Sequence, residues 1–264
     1  MSGIPQPEDI YRRTKDEGER RLERPLLEMV STALAAGFDI VAGIAALGII
    51  GASLAGKAGL GPSHVVASLG FGIGFVFLVV GRGELFTENF LVPIAGLDHR
   101  RGSSWLGLAK LWITSPLFNV LRGLVMILFL TTHRVLPSGT AGSLVKNAEA
   151  IHTHSTLTLF VSAIFAGALI TAMTWFVEGQ ESMLVRVIVA WIAGALLALG
   201  AFNHVIVITL ELIFGYRFGA HFAWTFILGN FFLAAAGNML GGIGLVTLNR
   251  LTQGKQGERS RASA

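Results

Sequence analysis

The chain has 264 residues, 53% of them hydrophobic and only 14% charged, with no cysteine. So few charges cannot cover a soluble surface or keep a chain disordered, and without cysteine there is no disulfide, thiolate nucleophile or zinc–thiolate site. The formal charge of +4 would suit nucleic acid, but its distribution along the chain argues against that partner.

Residues 1–25 are polar and crowded with charge. The spacing predicts a surface helix laced by i,i+4 pairs: Arg12/Asp16, Arg13/Glu17, Lys15/Glu19, Asp16/Arg20 and Glu17/Arg21. Long apolar runs follow. Met29–Gly56 carries one charge, Asp39. Ser63–Leu97 carries Arg82, Glu84 and Glu88, and Leu111–Thr132 carries Arg122. Ser155–Val177, Val187–Leu210 and Phe222–Asn249 carry no Asp, Glu, Lys or Arg. A span needs about 20 mainly apolar residues, so six transmembrane helices are expected over 26–250, with a tail over 251–264. Of the 20 Lys and Arg, Lys57, Arg134, Lys146 and Arg217 fall on one side, and Arg82 and Arg122 within the membrane. The other fourteen fall on the side of the N-terminus. That asymmetry places both termini in the cytoplasm of a cell with an inner (plasma) membrane, and it explains the positive charge without nucleic acid.

The second run is interrupted by Gly81-Arg82-Gly83-Glu84-Leu85-Phe86-Thr87-Glu88-Asn89. A charge at the centre of a span costs roughly 2.5–3.5 kcal/mol, so these residues must pair or line a polar cavity, and irregular backbone at that depth must face protein or water. Glu84 is read as structural, accepting N–H groups of the broken helix or pairing with Arg82 or Arg122. Asn89 and Asn203 are read the same way. Glu88 and Glu211 approach helix ends and are expected near the membrane surfaces, and Asp39 has no evident partner. The fifth run breaks at Gly200-Ala201-Phe202-Asn203-His204. Broken helices at matching places in two three-span halves point to an inverted-repeat transporter or channel. His204 is either a core histidine bonded to a carbonyl or a functional group. Gly229, Gly237, Gly241, Gly242 and Gly244 form a small-residue face that suits close helix packing.

The motifs occur in a telling order. Gly83-Glu84-Leu85-Phe86-Thr87, then Leu108-Ala109-Lys110-x-Trp112 with Asn119, Phe202-Asn203-His204, Gly229-Asn230 and Gly237-Asn238-x-x-Gly241-Gly242 together resemble the formate/nitrite transporter family. The resemblance implies an all-α, aquaporin-like inverted repeat of six helices, broken at the second and fifth, assembled as a homopentamer with a pore in each protomer. It implies passage of small monovalent anions, with a proton. Carried over by position, His204 is the pore histidine and Thr87 the loop residue that bonds the anion. Leu85, Phe86, Phe71, Phe75, Ile170 and Leu197 fall at the two apolar constrictions. An imidazole near neutral pKa can neutralise an anion and remove its desolvation penalty.

The chain departs from the pattern at Ile151, where the family has a vestibule lysine, and at Gly167, where it has an asparagine. Lys146, His152 and His154 are the candidates to replace the lysine. The competing reading on the same fold is a channel for a neutral solute, water, a cation or a proton. No metal or cofactor motif is present. The nearest serine-protease string, Gly51-Ala52-Ser53-Leu54, lacks its final glycine, so no enzyme is expected.

Overall fold

The computed structural model describes residues 5–55 and 60–262; Lys57, counted above, lies outside them. Among these residues all the regular structure is helical. Helix α1 is Pro7–Leu22, α2 Leu26–Leu54 and α3 Leu60–Val80. A 3-10 turn over Phe86–Phe90 and the short α4, Val92–Ala95, follow the first break. Then come α5 (Gly102–Leu130), α6 (Thr140–His152), α7 (Thr156–Glu178), α8 (Met183–Leu199), α9 (Val205–Arg217) and α10 (Trp224–Met239). A π-helical stretch, Leu240–Thr247, leads into α11, Leu248–Ala262.

Five helices are long and apolar enough to cross a membrane: Leu26–Leu54, Gly61–Val80, Gly102–Leu130, Thr156–Glu178 and Trp224–Arg261. The remaining span, fifth in chain order, is built from the shorter α8 and α9 on either side of a break. The expected six-span, all-α architecture with breaks in the second and fifth spans is the one observed.

The two halves are built alike down to single bonds. At each break the helix ends on a residue in the left-handed region, Arg82 (φ 53°) and Ala201 (φ 46°). In each, the next N–H reaches back to close the last turn, Gly83 to Leu78 O at 2.9 Å and Phe202 to Leu197 O at 3.0 Å. Glycine usually takes this cap, because a Cβ in that conformation costs roughly 1–2 kcal/mol. The same non-glycine exception in both halves marks a repeat. Close crossings use glycine: Gly43 of α2 packs on Gly74 of α3, and a Cβ on Gly237 or Gly241 would meet α7. Gly229 faces open space and Gly244 makes only a loose contact with Leu240, so only part of the expected small-residue face is used.

Helix α1 departs from the expected solvated rod. Lys15/Glu19 and Glu17/Arg21 form as predicted. Arg12 turns to Asp9 and Glu258, Arg13 to Glu181, and Arg20 to Glu17 and Glu28. Tertiary partners win because α1 is docked. Its Tyr11, Thr14, Gly18 and Leu22 are buried, and Gly18 lies so close to α4 that a Cβ there would sit 2.1 Å from Val92 O. The tail from 251 is likewise the helix α11, tied to α1 by Arg261 with Glu8 and Asp9.

Candidate functional site

The two breaks meet in the interior. Each is held by one asparagine from the third span of its own half. Asn119 of α5 accepts Phe86 N–H (3.1 Å) and donates to Glu84 O (3.0 Å) and Ala33 O (2.8 Å). Asn238 of α10 accepts Val205 N–H (2.9 Å) and donates to Asn203 O (3.0 Å) and Ala163 O (2.7 Å). The sequence separations match, 33 and 35 residues in both halves. Each amide therefore satisfies backbone groups that a broken helix would leave bare in a medium without water. These clamps were not identified as such from sequence; the one available signal was that equal spacing.

Thr87, in the 3-10 turn, and His204, capping α9, join the two loops. Thr87 Oγ1 lies 2.8 Å from His204 Nε2, and both residues are wholly buried. His204 Nδ1 accepts Val207 N–H at 3.4 Å as the α9 N-cap. In that state the ring proton is on Nε2 and is donated to Thr87 Oγ1, leaving the threonine O–H for another acceptor. Protonating Nδ1 would break the cap. Asn203 does not touch the imidazole through its side chain; its amide pairs with Asn230 and donates to Leu159 O.

The acids are placed differently from the sequence reading. Glu84 pairs with neither Arg82 nor Arg122. Its Oε2 lies 2.5 Å from Arg24 Nη1, and its Oε1 accepts Asn89 Nδ2 at 2.9 Å. Among the N–H groups of the loop, Leu85 N is held by Glu88 at 3.1 Å rather than by Glu84. Glu88 and Glu211 are both buried, Glu88 beside the cavity on the α1 side and Glu211 in that on the α6 side. Arg82 is exposed and lines a cavity beside α1, while Arg122 is on the exposed side of α5; neither makes an ion pair among the described residues. Asn89 also lies 3.4 Å from Arg21. The charged α1 is thereby tied to the first loop. Glu17 is held below the usual carboxylate range: burial pushes it up, and Arg21 and Arg20 outweigh that.

Cavities open on both sides of the junction. On the α1 side, about 520 Å³ is lined by Arg and Glu side chains together with Leu78, Val79 and Gly83. On the α6 side, a chamber of about 590 Å³ carries Lys146. It shares Leu47, His64 and Asn147 with a neck of about 180 Å³ that includes Phe71, Leu197, Phe202 and Glu211. Of the six apolar residues expected at constrictions, Phe71 and Leu197 line this neck. Phe75, Leu85, Phe86 and Ile170 are buried in the same core cluster and line neither cavity. Leu78 and Phe202, which do line cavities, were not singled out. Ile151 lines the neck, Lys146 the chamber and His154 the neck, whereas His152 packs against Phe222 and Phe226. Gly167 is no vacated asparagine site. A Cβ there would lie 2.2 Å from Asn238 O, so the clamp's own backbone fills the space, as Asn119 does at Gly37.

Comparison with known proteins agrees with this architecture. The profile described as "Formate/nitrite transporter" matches residues 8–251. The inner membrane protein YfdC of Escherichia coli (strain K12) is 28% identical over 88% of this chain and 74% of its own length. A probable formate transporter of Methanothermobacter thermautotrophicus is 28% identical over 66% of this chain and 62% of its own. Among solved structures, an FNT family ion channel superposes with a TM-score of 0.75 at 19% identity, covering 91% of this chain and 97% of that one. A pentameric formate channel with formate bound gives 0.71 at 18%, covering 84% and 95%. With twin asparagine-clamped breaks meeting at Thr87 and His204, and a family match from one end of the membrane region to the other, this chain belongs to the formate/nitrite transporter family.

Proposed function

We propose that the chain is a pore for small monovalent weak-acid anions, passed together with a proton. The observation that carries this reading is the Thr87–His204 contact, sealed in apolar core between a cavity on each side. A bare anion crosses such a seal poorly, because burying an unpaired charge is costly. An imidazolium that gives its proton to the anion lets the neutral acid pass and leaves neutral histidine behind. The threonine O–H, uncommitted while Nε2 donates to its oxygen, is available to bond the substrate. Phe71 and Leu197 on one side of the histidine, and Leu85 and Phe86 on the other, supply the slits, with Phe75 and Ile170 behind them. The names of relatives, a probable formate transporter and a formate channel, support formate as the first substrate to test.

The working form is a homopentamer in an inner membrane with both termini cytoplasmic. The pentameric neighbour, the name of the Escherichia coli relative and the Lys/Arg asymmetry support this. The α6 face is then the outer one. A second reading, a pore for a neutral solute or a cation, is favoured by one observation, the carboxyl of Glu211 in the neck. Flux in proteoliposomes separates the two. Wild type and His204→Asn are offered formate, nitrite, lactate, water and a monovalent cation across a pH gradient. Formate movement that depends on His204 is expected; movement of water or cation alone would overturn the anion reading.

A further inference from the structure

Glu211 is the single carboxyl among the described residues lining the α6-side chamber and neck. It is only 7% exposed, and Asn147 of α6 lines the same neck. It stands seven residues beyond His204 on α9, about 10 Å along the helix axis. Val207 and Ile208, which also line the neck, lie between them at helical spacing. A solute travelling from the chamber to His204 therefore passes Glu211 first, then apolar wall.

The groups facing this carboxyl are cationic or neutral. Lys146 of α6 lines the chamber, and His154, just after α6, lines the neck. His64 of α3 donates Nε2–H to Leu199 O at 2.9 Å and borders both. From α2 and α8 only apolar side chains, Leu47 and Leu197 among them, face it. A positive mouth above a buried carboxyl and an apolar neck suits anions at the entrance and penalises a bare charge further in. Only a solute that loses its charge there satisfies both.

We propose that Glu211 is a specificity-determining residue of the pore: it admits the anions of weak acids by protonating them and turns away the anions of strong acids. This rests on the weak-acid reading above. In the step, the Glu211 carboxyl O–H bond breaks and an O–H bond forms on the anion. The neutral acid moves down the apolar neck to Thr87 and His204, so for entry from the α6 side Glu211 makes the transfer that the imidazolium makes for an anion arriving from the α1 side, and the carboxylate regains a proton from water in the chamber. Nitrate or chloride cannot be protonated at physiological pH, so each keeps its charge at the mouth of an apolar neck, where burying an unpaired charge is costly.

The test is flux of formate, nitrate and chloride into proteoliposomes, with external pH stepped from about 7.5 to about 5.5. Wild type is expected to move formate faster as pH falls and to exclude the other two. Glu211→Gln is expected to slow formate by about a hundredfold, the low end for loss of a general acid. It should also flatten the pH response and raise the nitrate-to-formate ratio. An unchanged ratio and pH profile in assembled Glu211→Gln would overturn the proposal. Wild type that passes nitrate as readily as formate would overturn it too, so the outcome does not hang on the variant folding. Failure of the weak-acid reading looks different: wild type would move no formate in a manner that depends on His204.

Discussion

The asparagine clamps offer a perturbation whose size follows from the bonds they make. Truncating Asn238 to alanine removes the acceptor of Val205 N–H and the donor to Asn203 O. Both belong to buried residues (Val205 0% and Asn203 1% exposed) at a break where no helical partner replaces the lost one. The third bond, to Ala163 O, costs less, since that carbonyl lies within α7 and keeps its helical N–H. Leaving a buried donor or acceptor unmade costs about 1–3 kcal/mol. Two such groups give a loss of about 2–6 kcal/mol, against the fraction of a kcal/mol that an ordinary interhelical bond contributes in a membrane. Asn119→Ala orphans the corresponding pair, Phe86 N–H and Glu84 O, and should lose a similar amount. Reversible unfolding in mixed detergent micelles, monitored by tryptophan fluorescence, measures both. Losses below about 1 kcal/mol in both variants would refute the reasoning, and a large loss in only one would show that the halves are held by different means.

Three further outcomes are expected. Gly167→Ala should destabilise by about 1–3 kcal/mol, because its Cβ would sit 2.2 Å from a backbone oxygen of Asn238 that cannot yield cheaply; the same unfolding assay checks it, and a neutral result would contradict the close approach. Arg24→Ala should cost about 3 kcal/mol, the low end for breaking a buried pair. The Arg24 and Glu84 side chains are 7% and 3% exposed, and Asn89 still holds one oxygen; Arg24→Ala combined with Glu84→Gln should recover part of the loss. Docking of α1 should weaken in acid. Glu17 has a folded pKa below its ordinary 4.5, so its contribution is full above that value and is lost as pH falls through the folded one. Hydrogen exchange of the α1 amides should accelerate there, and Glu17→Gln should show the faster exchange already at neutral pH.

The membrane class and the number of spans were legible from composition, because a bilayer demands runs of about 20 apolar residues whatever the tertiary fold. The two breaks were legible for a related reason: Gly81–Asn89 and Gly200–His204 put polar groups where lipid cannot solvate them. Family membership followed from the order of those motifs. What the sequence could not specify was who pairs with whom. Glu84 was read against Arg82 or Arg122, and only the docking of α1 brings Arg24 and Arg21 to it instead. Gly167 looked like a lost polar group and is a packing surface for Asn238, a distinction that exists only once α7 and α10 are brought together. Likewise the helical spacing of Glu211 and His204 was written in the chain, but α9 alone does not say which face meets a cavity. Periodicity reveals a helix's buried face when the other face meets water. In a span that is apolar all round, that contrast is absent, and packing against neighbouring helices alone decides which residues line the path.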